Sequence, residues 1–307
     1  EAIPGDDPLE ILAAVFGITP PAGGDLPSAA LSRLSDVPDR SPQGFWLHAD
    51  PVHLRADRDR LLAFAGPRLG IEDAEARALV AAFNAHFASD GLALEVTDPG
   101  RWYLHAEVPP EIVTTPIHRV AGGPVDPHLP GGAGAGVWTR LQTEAQMLFH
   151  DHPVNRVRES AGRPMISGLW TWGGGVLPQV AAAGHRLVVA DHPLARGLAR
   201  AAGAEIQPID GWRPGGSPAP AEVLVFWDRP WWPALDGDSD GWRSALVALD
   251  TWLAAPLEML RRGALSALVL EDARGTRFTT TRRGLRRFWR RGGGLGARIK
   301  REGAPRV

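Results

Sequence analysis

Cysteine is absent from the 307-residue chain, which excludes disulfides, thiolate metal sites and cysteine nucleophiles together. A reducing, intracellular setting is thereby permitted. Lysine is almost absent as well: Lys300 is the single one, so Schiff-base chemistry and lysine-bearing phosphate loops have next to nothing to work with. No apolar run reaches the roughly 18 residues of a membrane span, and the opening EAIPGDDPLE lacks the basic start and apolar stretch of a signal peptide. The expectation is a soluble, cytoplasmic protein with no membrane partner. No internal repeat is visible, which argues against solenoids and propellers. A formal net charge of -2 predicts no whole-molecule attraction to nucleic acid.

What is present is enough chain for one large α/β domain or two modest ones. The abundance of Ala, Gly, Pro and Arg reads as a GC-rich genome rather than a functional signature. Helical spacing marks Pro8 to Phe16 and Pro27 to Leu34, separated by the breaker cluster TPPAGGD. From Gly44 the pattern alternates like two strands joined by a charged turn at Asp57 to Asp59. A helix follows from about Glu72 to Phe87, with Ala78, Leu79, Ala82, Phe83 and Phe87 on one face. Two further strands flank the turn Asp98-Pro99-Gly100. Beyond this ββαββ block come a helix at Thr139 to Phe149, a short strand SGLWTW, a helix beginning PQVAAAG, the strands HRLVVAD, AEIQPI and EVLVFWD, and a long helix at Trp242 to Arg262. The alternation predicts an α/β core of mostly parallel sheet, residues 1–43 and 109–307, interrupted by an inserted α+β domain at 44–108. In such sheets ligands bind at the carboxyl ends of strands, here the loops after Trp172, Ala190 and Trp227.

Candidate chemistry concentrates in HDHPVNRVRESAGRPMISGLWTWGGG, from His150 to Gly175. Gly173, Gly174 and Gly175, between a predicted strand and a predicted helix, would give backbone N–H groups room to meet an anion, or would simply let strand and helix pack closely. The run GGAGAG at Gly131 to Gly136 looks like a dinucleotide loop but follows no convincing strand. His150, Asp151 and His152, the pair Asp191-His192, and Asp126 with His128 are possible metal ligands or plain surface and capping residues. The loop DGDSDG starts like a calcium loop, yet Val247 stands where the twelfth-position carboxylate belongs. Near the end, RRGLRRFWRR puts Arg282, Arg286 and Arg290 at helical spacing, either a nucleic-acid face or a docked terminal helix with solvated arginines.

The stretch HPVNRVRESAGRPMISGLWTWGGG resembles a segment of archaeal-type cofactor-independent phosphoglycerate mutases, carried here by His152, Pro153, Asn155, Arg158, Trp170, Trp172, Gly173 and Gly175. Ile166-Ser167 replaces the family's Ala-Asn pair. The block from Phe45, the acidic helix start at Glu72, the strand RWYLHAEV and the segment DPHLPGGAGAG are similar in order to that family's inserted domain and following loop. The likeness runs roughly from Gly44 to Ile209. It implies an alkaline phosphatase-like core, two divalent metals and a serine that carries the phosphoryl group.

Several of those groups are not found. The apolar strand ending in Asp-Gly is missing, and Ala22-Gly23-Gly24-Asp25, the nearest counterpart of the nucleophile run, has glycine in the serine's place. Asp228 is kept but Trp232 takes the histidine position; Glu271-Asp272-Ala273 replaces Asp-His-Ser; His48 is the nearest match to an expected arginine. The resemblance therefore implies a mutase-like protein without metal or cofactor that binds a phosphorylated small molecule through Asn155, Arg158 and Gly173 to Gly175, or binds another protein; bacterial relatives with this pattern are described as regulatory. The alternative is a phosphatase or phosphomutase with manganese or zinc held by Asp191, His192, Asp228, His150 and His152. A second alternative is nucleic-acid binding through the arginine-rich helix.

Overall fold

The computed structural model describes residues 7–182, 184, 187–212 and 222–285. The chain opens with helices α1 (Pro8–Val15) and α2 (Ser28–Asp36). Strands β1 (Phe45–Asp57) and β2 (Arg60–Phe64) follow, joined by a tight turn in which Arg58 takes a left-handed conformation, φ 55°. Helix α3 (Asp73–Phe87) starts at Glu72, whose backbone N–H donates to the Glu75 carboxylate at 3.0 Å, satisfying one orphan donor of the first turn. Strands β3 (Leu92–Asp98) and β4 (Arg101–Ala106) meet at the expected turn, where the Gly100 N–H donates to Asp98 at 3.0 Å. Helices α4 (Ala135–His150) and α5 (Pro153–Ser160) lead into β5 (Gly168–Gly175).

The second half carries β6 (Leu187–Ala190), α6 (Pro193–Ala201), β7 (Glu205–Gln207) and β8 (Val223–Phe226). It continues with α7 (Trp231–Leu235), α8 (Ser239–Arg262), β9 (Ala267–Glu271), β10 (Arg277–Thr281) and the short α9 (Arg282–Leu285). Arg286 and Arg290, on which the nucleic-acid reading depends, lie outside the described residues. No helix among the described residues is long and apolar enough to cross a membrane.

The α/β class inferred from the alternation holds, with a mixed sheet arrangement. Parallel pairing is confined, among the described residues, to the sheet β7-β6-β8, where α6 supplies a crossover between β6 and β7. The largest sheet is antiparallel, ordered β2-β1-β4-β3 with β5 also on β1. Strand β1 is long enough to pair with β4 through Phe45 to His48, with β5 through Trp46 to Val52 and with β2 through His53 to Asp57. The 44–108 block and β5 thus share one continuous sheet.

Side-chain alternation decides what each face of that sheet does. Leu47 and Ala49 of β1, with Leu94, Trp102, Leu104 and Leu169, pack under α3 and α4 against Phe83, Phe87 and Phe149. The other face turns Trp46, His48 and Asp50 of β1 and Trp170 and Trp172 of β5 toward α2 and the second half of the molecule. Helix α2 is buried at Ser28 to Arg33 and at Ser35, because it lies between β5 and α6. Small residues make both approaches possible: a Cβ on Gly173 or Gly175 would strike Ser28 or Pro27, and one on Gly197 would strike the Leu31 backbone.

One local expectation fails. Residues 178–182 form no helix, and Gly173 to Gly175 stay within β5, with Gly175 paired to Trp46 and a register shift beside His48. A short alanine-rich stretch cannot nucleate a helix unaided. The glycines serve as a close-packing surface, Gly173 at φ 65°, with no helix terminus beyond them.

Candidate functional site

Asn155 and Arg158 lie three residues apart on α5 and face inward, both fully buried. The Asn155 amide donates to the carbonyls of Phe149 (2.7 Å) and Ile166 (2.8 Å), and its oxygen accepts from the Ile166 N–H (2.8 Å). Arg158 donates to the carbonyls of Pro164 (2.7 Å) and Leu69 and to the Glu75 carboxylate (2.6 Å). These groups are spent on clamping α5 and its return loop to α3 and α4. Neither is available to an anion, contrary to the sequence-based expectation.

One of the glycine amides does meet an anion, but one that the chain itself supplies. Gly174 N–H donates to the Asp25 carboxylate at 3.2 Å, and Gly173 N–H donates to the Thr114 hydroxyl at 3.2 Å, which in turn donates to Asp25. The second Asp25 oxygen accepts from the Thr114 N–H at 2.9 Å. A carboxylate therefore sits where a phosphate oxygen was expected, brought there by the Ala22 to Asp25 segment before α2.

The metal candidates separate into two places. Asp191 and Asp228, at the carboxyl ends of β6 and β8, are close enough that Asp191, after burial, helps raise the Asp228 carboxyl above its usual range. Asp191 already accepts from the Ile209 N–H at 3.2 Å and lies 3.6 Å from Arg229. His192 caps α6 by accepting from the Leu194 N–H at 3.2 Å and stacks on Trp231. Burial, with Arg101 and His118 nearby, lowers it to about 3. His150 ends α4 and His152 caps α5, accepting from the Val154 N–H, and no interaction among the described residues joins them to Asp228. Asp126 is exposed and His128 half-buried, and Asp238 caps α8. No group of three or more His, Cys, Asp or Glu among the described residues could hold a metal ion, so these residues do not fit a binuclear centre.

A cavity of about 410 Å³, large enough for a small molecule, opens between α1, the α1–α2 loop, the segment after β4 and the end of β5. Its polar lining includes Asp7, Glu10, Asp25, Ser28, Thr114 and Arg119. Asp7 caps α1 through the Leu9 N–H (2.8 Å) and accepts from His118 (2.9 Å) and Arg119 (3.1 Å). Burial alone would raise its carboxyl, but the hydrogen bond and charge of His118, the Leu9 N–H and Arg119 together hold it below the usual range. Glu10 is raised by burial and by Asp7, with Arg119 opposing.

Behind the cavity wall lies a buried polar layer. His48 stacks on Trp172 with ring centroids 4.1 Å apart, and Trp172 donates its indole N–H to Asp50. Burial, then the charges of His192 and Arg101, lowers His48 to about 3; burial pushes Asp50 up to about 7 against the Trp172 hydrogen bond and Arg101. Among the described residues, buried Ser28 Oγ and His48 Nε2 have no hydrogen-bond partner.

Asp7, Ser28, Thr114 and Arg119 were not singled out by sequence. Asp7 was findable as a cap, since Asp-Pro precedes the first helix. Its pairing with His118, 111 residues away, leaves no local trace.

No protein-family profile matches the chain. A 2,3-bisphosphoglycerate-independent phosphoglycerate mutase of Methanothrix thermoacetophila is 37% identical over 70 residues, 23% of this chain and 18% of that protein. A probable enzyme of the same name from Geobacter sulfurreducens is 27% identical over 150 residues, 46% of this chain and 37% of its own length. The one from Methanosarcina barkeri is 28% identical over 114 residues, 36% of this chain and 28% of its length. These matches thus span well under half of each relative. Among solved structures, a cofactor-independent phosphoglycerate mutase from Thermoplasma acidophilum aligns with 72% of this chain and 64% of its own at 18% identity, TM-score 0.39. A Pyrococcus horikoshii protein aligns with 83% of this chain and 64% of its own at 17% identity, TM-score 0.47. Over these segments the sequence is similar to cofactor-independent phosphoglycerate mutases.

Proposed function

We propose that this mutase relative acts by binding a small molecule, as a sensor or regulator, and does not transfer phosphoryl groups. The observation that carries the reading is the use of Asp25: of the glycine amides that could receive a phosphate oxygen, Gly174 donates to the chain's own carboxylate and Gly173 to the Thr114 hydroxyl that is bonded to it. Asn155 and Arg158, the other polar groups of the shared motif, are consumed by the fold. What remains is a ligand-sized cavity beside the motif, with convergent polar groups and two carboxylates whose proton affinities are perturbed.

A second reading, metal-dependent phosphatase or mutase chemistry with manganese or zinc, is favoured by the proximity of Asp191 and Asp228 alone. The two readings part on one measurement. Purified protein is analysed for bound metal and assayed with 3-phosphoglycerate and an aryl phosphate in the presence of added manganese or zinc. The binding reading expects no stoichiometric metal and no turnover. Two bound ions together with turnover that Asp228→Asn abolishes would overturn it.

A further inference from the structure

Resting on that binding reading, we infer that the cavity takes a small organic cation, an ammonium group on a compact apolar body. Two carboxylates on its wall, Glu10 and Asp25, have no ion-pair partner among the described residues. Asp25 accepts only from neutral donors among the described residues, the Thr114 N–H and hydroxyl and the Gly174 N–H, so no cationic side chain is paired with it there. Arg119 brings one positive charge against three lining carboxylates, Asp7, Glu10 and Asp25, and its Nε donates to Asp7 at 3.1 Å. The excess charge is negative, which repels a phosphorylated ligand and attracts a cation.

One further observation narrows the cation. The rest of the wall is apolar, with Leu9, Leu26, Val113 and Pro116, and suits a hydrocarbon body better than a hydrated metal ion. An amine offers two or three N–H donors to carboxylate and hydroxyl acceptors while burying its carbon skeleton.

The test uses the whole chain and a matched set of probes. Phenethylamine and ethanolamine present an ammonium, 2-phenylethanol is the neutral isostere of the former, and 3-phosphoglycerate is the anion. Isothermal titration and thermal unfolding are measured on wild type, on Glu10→Gln, which alters a partly exposed side chain, and on Glu107→Gln as an exposed control. The inference expects phenethylamine to bind and raise the melting temperature while 2-phenylethanol does not. Glu10→Gln should weaken binding about tenfold, the loss of one charge-assisted hydrogen bond, and Glu107→Gln should leave it unchanged. No binding by either amine, equal binding of amine and alcohol, or undiminished binding by Glu10→Gln overturns it. Stabilisation by 3-phosphoglycerate alone would overturn the cation and leave the binding reading standing. Metal-dependent turnover would remove the binding reading whatever the amines do.

Discussion

The antiparallel sheet of β1 to β5 and the segment after β8 treat their side chains in opposite ways. In the first, α5 buries an arginine and an asparagine completely and gives each three hydrogen bonds, while Leu47, Trp102 and Phe149 are sealed between sheet and helices. In the second, Val269, Leu270 and Phe278 of the β9–β10 hairpin and Trp242 and Val247 of α8 face solvent. The lesson is that cohesion is concentrated in the first region, and that α2 transmits it from β5 to α6 through contacts only glycine permits. The cavity lies along that junction. Its walls are fixed on the sheet side by β5 and on the other by α1, which packs on α6.

The sharpest way to break the comparison is to remove Arg158. Arg158→Ala leaves the Glu75 carboxylate without one of its partners and two carbonyls, Leu69 and Pro164, without theirs. Deleting one partner of a buried ion pair costs about 3–5 kcal/mol. Urea unfolding of this variant should lose a comparable amount, with ligand binding unaffected wherever the protein remains folded. A loss below about 1 kcal/mol would mean that α5 is not the clamp described here.

A middle-sized effect comes from the polar layer behind the cavity. Asp50 has its folded value raised from 3.8 to about 7, so the fold favours its neutral form. That contribution is fully present below pH about 4 and is lost as pH rises through 7. His48 works in the other direction: its folded value is depressed from 6.5 to about 3, so its contribution is present above pH 6.5 and is lost as pH falls toward 3. Asp50→Asn keeps an acceptor for the Trp172 indole and removes the titration. The variant should gain stability relative to wild type progressively between pH 4 and pH 8, while the acid limb set by His48 and His192 stays. Parallel stability curves across that interval would show that Asp50 is not desolvated.

How much of this was legible in the sequence follows the same division. Alternation, the Asp98-Pro99-Gly100 turn and the acidic start at Glu72 mark β1 to β4 and α3 in the sequence itself, since period and turn chemistry are local. The single shared sheet was not legible, because pairing of β1 with β5 joins residues more than a hundred positions apart. The site divided likewise. The motif at Asn155 and Arg158 was visible as residues, but burial decides whether a guanidinium binds a ligand or a carbonyl, and burial is a property of the packed whole. Gly173 and Gly174 were visible as amides with room for an anion; that the Gly174 N–H meets the chain's own Asp25 depends on a loop some 149 residues upstream.

The smallest expected effect tests the exposed side of the comparison. Phe278, 41% exposed on β10, pairs across the hairpin with Leu270 and has few neighbours to lose. Exposed positions of this sort change stability by about 0.5 kcal/mol or less, so Phe278→Ser should unfold within that margin of wild type. An isolated two-stranded hairpin is marginal in water, which gives the measurement a second use. If Phe278→Ser instead costs more than about 2 kcal/mol, the side chain must be covered in solution, and sedimentation of wild type and variant across a concentration series would show whether a second copy covers it. Loss of a concentration-dependent dimer in the variant would move the hairpin from the loosely held region to an interface, and the contrast between the two halves of the molecule would then be one between an internal core and an intermolecular one.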